Sequence, residues 1–283
     1  MGLGRAALAA FVVLAGAAEG GSRLPTGDHR FAVYYAAVEP AASFQRYDVI
    51  AFDGDTHPPL DTLKSPNRVL LGYISLGEVE GWRPYYKQVE AEGITLMENE
   101  NWKHSYMVDL RRPEWTRRIV EDIAAAILAK GFDGLFLDTM DNAGHLERLD
   151  PARFKGMTQA GADLILALRK RHPGALLMLN RGYEVLPLVE HAIDAVLAEA
   201  TFATMEFKSE LYGLVRKDLH RKQVDLLRAA KARRPALMLY SLDYWEPDNP
   251  EGIAKIYRAQ RAEGFVPYVA TIKLDRLVPE PGR

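Results

Sequence analysis

The stretch that decides the fold is GFDGLFLDTMDNA, from Gly131 to Ala143. Its apolar run Leu135–Leu137 has the length of a buried parallel strand and is followed at once by Asp138, with Asp141 close behind. In a barrel of parallel strands, carboxylates just past the strand ends lie at the mouth, where chemistry takes place. Two acids so close together repel each other, which costs stability unless they have a use. Asp138 could instead cap a following helix, but the same pattern of strand and acid recurs along the chain, which favours a functional mouth.

Apolar and β-branched runs of strand length occur eight times in the chain. They are Phe31–Ala36, Val49–Phe52, Val69–Ile74, Leu135–Leu137, Ala175–Leu179, Ala195–Ala198, Ala236–Tyr240 and Val266–Ala270. Helical patterns separate several of them, such as one that begins at Pro113 and stops at Gly131, and another from Pro250 to Gly264. Eight strands with interleaved helices predict an α/β fold of the (β/α)8 TIM barrel type. A doubly wound open sheet is less consistent, since no Gly-x-Gly-x-x-Gly turn follows the first run.

The composition is that of one large globular domain. The chain has 283 residues, of which 48% are hydrophobic and 26% are charged. Its formal net charge is −2, and the basic run from Arg216 to Lys222 lies on a predicted helix, so we expect no nucleic-acid partner.

The first residues have the features of a signal peptide. A single Arg is followed by the apolar stretch Ala6–Leu14 and the small residues Ala15–Ala17. This stretch is too short to span a bilayer, so we expect cleavage rather than stable membrane insertion. The predicted organisation is a signal peptide at 1–17, a flexible lead-in at 18–30 and one barrel domain at 31–283. Since the chain has no Cys, a secreted or periplasmic bacterial setting is expected.

Polar and aromatic side chains follow most of the predicted strands, which would bring them together at one rim of the barrel. The candidate catalytic and substrate-binding residues are Tyr35, Asp53, Tyr73, Ser75, Glu78, Asp138, Asp141, Asn142, Asn180, Arg181, Glu199, Tyr240 and Asp243. Such a mouth suits hydrolysis of a glycosidic bond, because one carboxyl can protonate the leaving oxygen while another attacks or activates water. Trp82, Trp102 and Trp245 could stack on sugar rings, although each could equally pack in the core or a loop.

Other chemistries fit the sequence less well. The seven His include no His-x-His or His-Glu-x-x-His, so neither a catalytic zinc nor another metal is expected. No Gly-x-Ser-x-Gly elbow is present, which disfavours a serine esterase, and no cofactor is predicted.

Several segments taken together resemble the endo-α-1,4-polygalactosaminidase family of glycoside hydrolases. They are LGYISLGEVE at Leu71–Glu80, Trp102 with MVDLRRPEW at Met107–Trp115, Gly131–Asn142, NRGYE at Asn180–Glu184, and Glu199. The chain is also similar to the hydrolase domain of enzymes that cut the cationic Pel polysaccharide. The resemblance implies a (β/α)8 barrel, a substrate with α-1,4-linked galactosamine, and a catalytic pair formed by Asp138 and Glu199. Asp141 is the alternative for the first of these roles.

This substrate class is consistent with an acidic mouth. Galactosamine without its acetyl group carries an ammonium charge, which carboxylates attract. The residues expected to provide the negative field are Asp53, Asp55, Glu78, Glu80, Asp141 and Asp243. For Glu78 and Glu80 a solvated loop is the alternative interpretation.

The surroundings of the two acids predict different roles for them. Asp138 leaves a rigid strand and is expected to be an ionised nucleophile. Glu199 lies among apolar residues, which would raise its pKa as a general acid requires. The carboxyl separation would distinguish retention, at roughly 5–5.5 Å, from inversion, at roughly 6.5–9.5 Å. A barrel that binds carbohydrate without catalysis, or a glycosidase for another α-linked sugar, remain alternatives.

Overall fold

Eight parallel strands form the centre of the protein. The computed structural model describes residues 24–283, so the predicted signal peptide at 1–17 lies outside the described residues. The strands are β1 (Phe31–Tyr34), β2 (Val49–Asp53), β3 (Val69–Ser75), β4 (Gly134–Asp138), β5 (Leu176–Asn180), β6 (Ala195–Glu199), β7 (Met238–Tyr244) and β8 (Val266–Ala270). Their order in the sheet follows the chain, and β1 lies beside β8, so the sheet is a nearly closed barrel. The predicted TIM barrel is confirmed.

Each predicted strand overlaps one of these eight, but several end later than predicted. Asp138, Asn180 and Glu199 are the last residues of their strands rather than the first residues beyond them. Pairing with the neighbouring strand is the reason, since Asp138 lies opposite Ser75 and Glu199 lies opposite Leu242. Because Asp138 and Glu199 belong to strands, the hydrogen bonds between strands fix their backbone positions.

The β4–β5 contact depends on a glycine. Leu135, Phe136 and Leu137 are buried on both faces of the sheet, as expected where helices cover a parallel barrel. At the start of the same strand, a Cβ on Gly134 would lie 2.1 Å from the backbone oxygen of Leu176. Any larger residue at position 134 would therefore push the two strands apart.

The α-helices surround the barrel. They are Tyr86–Ala91, Pro113–Arg117, Ala124–Ala129, Asp141–Leu149, Met157–Arg171, Leu186–Val189, Lys217–Arg233 and Pro250–Ala262. Short 3-10 turns occur at Ala41–Phe44 and Leu60–Thr62. The helix predicted from Pro113 to Gly131 forms with a π-helical turn at Arg118–Ile123. Asn249 caps the last helix, since its side-chain oxygen accepts the amide of Gly252 at 2.8 Å.

Two excursions after barrel strands were not predicted. The strands Glu78–Glu80, Thr95–Glu98 and Ser105–Val108 form a small antiparallel sheet after β3. A hairpin of Ala203–Glu206 and Leu211–Leu214 follows β6. Both leave the C-terminal ends of their strands, on the side of the mouth.

The described part of the lead-in packs against the barrel. Leu24 is buried, and the ring of His29 makes a 2.9 Å hydrogen bond with the hydroxyl of Tyr240. The segment 24–30 is thus part of the folded domain, which begins before the predicted boundary at residue 31. No helix within residues 24–283 is both long enough and apolar enough to cross a membrane.

Candidate active site

One amide nitrogen joins the two predicted catalytic acids. Asp138, Asn180 and Glu199 end the adjacent strands β4, β5 and β6. Nδ2 of Asn180 donates to Oδ1 of Asp138 at 2.8 Å and to Oε2 of Glu199 at 2.7 Å. Two oxygens bound to the same nitrogen lie within about 5.5 Å of each other, so the two carboxyls are neighbours at the mouth of the barrel. Asn180 therefore links Asp138 directly to Glu199, whereas Asp141, the alternative catalytic acid, pairs with Arg181 at 3.3 Å.

A tyrosine holds the other oxygen of Glu199. The hydroxyl of Tyr244, the last residue of β7, donates to Oε1 of Glu199. Burial and the charge of Glu199 raise the pKa of Tyr244 well above its ordinary value, so its hydroxyl stays protonated and remains a donor. Both oxygens of Glu199 thus accept a hydrogen bond, one from Asn180 and one from Tyr244, which fixes the direction of the carboxyl.

The pKa of Asp138 is raised to about 7, chiefly by burial and then by the charge of Glu199. The amides of Thr139 and Asn180 oppose this shift because they donate to the ionised form. At neutral pH a proton therefore resides part of the time on Asp138. This differs from the expectation that Asp138 stays ionised in the resting protein. The sequence could not show that Asp138 is buried beside the charge of Glu199, which is why its pKa is raised.

Two predicted aromatic residues lie beside this pair. The rings of Tyr35 and Tyr73 meet edge to face with centroids 5.2 Å apart. Burial raises the pKa of both hydroxyls far above the ordinary value, and the charge of Asp138 raises it further. Both hydroxyls are thus available as donors near the carboxyl pair.

The three residues that follow the bridged side chains have a left-handed backbone. Thr139, Arg181 and Ala200 have φ angles of 64°, 53° and 51°. Residues other than glycine seldom adopt this conformation, and such residues cluster at functional sites. Each of the strands β4, β5 and β6 therefore turns sharply just past its functional side chain.

Comparison with known proteins identifies the family. A sequence profile of glycoside hydrolase family GH114 matches residues 14–282. The chain belongs to glycoside hydrolase family GH114. The glycoside hydrolase domain of PelA from Pseudomonas aeruginosa is similar in structure, with a TM-score of 0.79 and 29% identity over 90% of this chain and 99% of that one.

More distant proteins share the architecture of this GH114 glycosidase. Ega3 of Aspergillus fumigatus, solved in complex with galactosamine, has a TM-score of 0.68 and 13% identity, covering 92% of this chain and 97% of that chain. An uncharacterized protein from Deinococcus radiodurans is 24% identical over 244 residues, which are 83% of this chain and 75% of the relative.

Two predicted binding residues of the GH114 protein lie away from the mouth. Tyr240 is buried near the opposite end of β7, where its hydroxyl bonds to His29. The carboxylate of Asp243 is fully buried and accepts the amides of Phe202 and Ala203. The predicted strand stopped at Tyr240, whereas β7 continues to residue 244, which places Tyr244 rather than Asp243 at the catalytic pair.

Arginines neutralise much of the acid expected at the mouth. The guanidinium of Arg83 forms ion pairs with Asp53 at 2.9 Å, Asp55 at 2.7 Å and Glu80 at 3.2 Å. Arg181 forms another with Asp141, at 3.3 Å. These pairs leave a weaker negative field than the sequence predicted.

Glu78 is a structural carboxylate in this protein. It is buried and accepts hydrogen bonds from Asn99, Ser105 and Asn142, and Ser75 donates to its backbone oxygen at 3.0 Å. The interpretation of Glu78 as a solvated loop residue is therefore wrong, and so is that of Glu80, which is buried against Arg83. Glu78 ties the small sheet to the helix that follows β4.

Two of the three tryptophans suggested for sugar stacking are exposed enough to meet a ligand. Trp102 is 50% exposed and meets Phe207 edge to face at 5.4 Å, and Trp82 is 66% exposed. Trp245 is half-buried, packed against Gly252 in the last helix. Trp102 lies on the excursion after β3 and Phe207 on the excursion after β6, so the two loops touch.

Proposed function

We propose that the protein is an endo-acting hydrolase of α-1,4-linked polysaccharide that contains galactosamine. The single observation that supports catalysis most is the bridge from Asn180 to Asp138 and Glu199, because a binding module has no need of two carboxyls around one donor. The choice of sugar is supported by the resemblance to the polygalactosaminidase family and by the similarity to Ega3, whose structure was solved with galactosamine.

The proposed reaction proceeds with retention of configuration. Asp138 attacks the anomeric carbon, while Glu199 gives its proton to the leaving oxygen; water then releases the sugar from Asp138 with Glu199 as base. The bridge supports retention, because it keeps the nearest oxygens of the two carboxyls within about 5.5 Å, and retaining enzymes have their carboxyls roughly 5–5.5 Å apart. An ammonium group bound beside Asp138 favours its ionised form, which the attack on the anomeric carbon requires.

Product analysis on a panel of α-linked polymers, including deacetylated galactosaminan, tests the substrate. Release of reducing ends from galactosaminan, with fragments that keep the α configuration in NMR spectra, is the expected result. Asp138→Asn and Glu199→Gln should each abolish this turnover while the protein remains folded by circular dichroism. Near-normal rates in either variant would remove that residue from the pair, and binding of the polymer without cleavage would favour a carbohydrate-binding barrel.

The division of roles has its own test. With an activated substrate, azide should rescue Asp138→Ala and yield the β-glycosyl azide, because azide replaces the missing nucleophile on the same face. Rescue of Glu199→Ala should yield the α-glycosyl azide. The opposite pairing of products would reverse the roles of the two acids.

We also propose that the protein is exported, to the periplasm or the medium. The support is the signal-peptide pattern in residues 1–17. Mass spectrometry of protein recovered outside the cytoplasm should show a chain that begins near Ala18. An intact Met1 on that material would contradict cleavage.

A further inference from the structure

The buried carboxylate of Asp243 has no part in the proposed reaction, yet it contacts the segment that follows Glu199. Its Oδ1 accepts the backbone amides of Phe202 at 2.8 Å and Ala203 at 2.9 Å. Its Oδ2 accepts Nε2 of Gln260, from the last helix, at 2.5 Å. The next residue, Tyr244, donates to Glu199. Neighbouring residues of β7 thus contact both Glu199 and the segment that follows it.

The segment from Ala200 to Ala203 makes hydrogen bonds through nearly all of its polar groups. The amide of Ala200, the left-handed residue, donates to the backbone oxygen of Leu242 at 2.8 Å. Thr201 is fully buried: its hydroxyl accepts Nε2 of Gln260 at 2.8 Å, and its backbone oxygen accepts Nδ1 of His220 at 3.0 Å. Phe202 and Ala203 follow, bound by Asp243. The left-handed turn is therefore maintained by partners in β7 and in two helices.

An ionised group in this place is costly. Burial raises the pKa of Asp243 to about 6, and the hydrogen bonds from Ala203, Gln260 and Phe202 oppose the shift because they are made to the ionised form. A buried charge persists where hydrogen bonds to it are needed. Three donors on one carboxylate fix the direction of the turn more firmly than a neutral acceptor would.

We propose that Asp243 is a positioning residue for Glu199, which holds the left-handed turn at Ala200 so that the Glu199 carboxylate stays on Asn180 and near Asp138. This inference rests on the proposed catalytic role of Glu199. Without Asp243, the amides of residues 202 and 203 lose their acceptor and the turn relaxes. Glu199 then moves away from the bridge, and its repulsion of the Asp138 carboxylate weakens.

The test compares Asp243→Ala with Asp243→Asn, which keeps an oxygen for the two amides. Asp194→Ala is the matched control: it lies just before β6, at the opposite end of the strand from Glu199, and accepts the amide of Leu177 at 2.9 Å. Asp243→Ala should lower kcat on galactosaminan about ten- to hundredfold with KM nearly unchanged, since a displacement near 1 Å costs about that much. Asp243→Asn should recover most of the rate. Asp194→Ala should lower the melting temperature and leave kcat of the folded protein intact.

A titration separates this role from simple stability and needs no substrate. With a ¹³C label in the Asp carboxyls, the pKa of Asp138 should fall in Asp243→Ala, because Glu199 no longer repels its charge as strongly. It should stay the same in Asp194→Ala. Asp53, Asp141, Arg181 and the tyrosines around the pair are unchanged in both variants, so they do not account for a difference.

An unchanged kcat together with an unchanged pKa of Asp138 in folded Asp243→Ala would overturn the proposal. If that variant does not fold, Gln260→Met decides, since it removes the donor to both Asp243 and Thr201 and should shift the Asp138 pKa in the same direction by less. No shift there would equally overturn it. Should the wild-type protein cleave no polymer at all, the proposed function fails, whereas the titration still tests the position of Glu199.

Discussion

Replacing Asn180 by Ala removes the donor that joins the two carboxyls. Asn180 is only 3% exposed, so water cannot readily replace its Nδ2. Hydrogen bonds to charged groups contribute about 1.5–3 kcal/mol each, and loss of one donor aimed at a reacting group costs about 2.7–4 kcal/mol in the transition state. We therefore expect kcat to fall about 10²- to 10³-fold.

The same variant should change the pH profile in a stated direction. The amide of Asn180 lowers the pKa of Asp138, because it donates to the ionised carboxylate. Without it the Asp138 carboxyl keeps its proton to higher pH, and because the nucleophile must be ionised to attack, the acidic limb of kcat moves upward. Initial rates of reducing-end release, measured across the neutral range, report both quantities.

Asn99→Ala is the control for this experiment. Its side chain also donates to a buried carboxylate at the mouth, Oε1 of Glu78 at 2.7 Å, but it does not touch the pair. We expect its kcat to stay within a few-fold of wild type and its pH profile to be unchanged. A near-normal rate in Asn180→Ala, or an acidic limb that moves downward, would refute the conclusion that Asn180 holds the two carboxyls in their reactive arrangement.

Three further changes follow from contacts in the structure. Asp138→Asn should raise the melting temperature relative to wild type at pH 8 but not at pH 4. The pKa of Asp138 is higher in the folded than in the unfolded protein, so the wild-type protein loses stability as pH rises through about 7, whereas the variant has no such charge to bury. Scanning fluorimetry that showed the reverse order would contradict the raised pKa. Gly77→Ala places a Cβ 2.3 Å from the backbone oxygen of Thr139, next to Asp138, so kcat should drop at least tenfold, and an unaffected rate would show that this turn is free to move. Arg83→Met leaves the carboxylates of Asp53 and Glu80 without their partner, while Asp55 keeps Lys130 at 2.6 Å, and should lower the free energy of unfolding by about 3–5 kcal/mol in urea titrations. A loss below about 1 kcal/mol would mean that solvent screens these two carboxylates.

The barrel was predictable because each strand is a short apolar run that a helix separates from the next. Leu135–Leu137 and Val266–Ala270 are apolar throughout, as strands covered on both faces must be. Asp138 and Glu199 were predictable for a related reason, since they are the first acids after such runs. The small sheet and the hairpin were not, because their strands of three or four residues have no period long enough to recognise.

The partners of the site residues could not be predicted, because they come from distant parts of the chain. Tyr244 was missed through an error of four residues at the end of β7, and the same error placed Asp243 at the mouth. Nothing in the sequence linked Arg83 to Asp53, thirty residues earlier, or showed that Asn180 bonds to two acids at once. Local pattern determines which residues reach the rim, whereas the closure of the barrel determines what they meet there.

The left-handed residues Thr139, Arg181 and Ala200 have a consequence for engineering. Each non-glycine residue in this conformation costs roughly 1–2 kcal/mol, so a search for thermostabilising substitutions would select these three positions for glycine. Glycine would relieve that cost and would also let the strand ends rotate, loosening Asp138, Asn180 and Glu199 together. At this rim, a substitution that relaxes these three φ angles would raise thermal stability and lower turnover. Stabilising substitutions are better sought at the base of the barrel, where no torsion positions a reacting group.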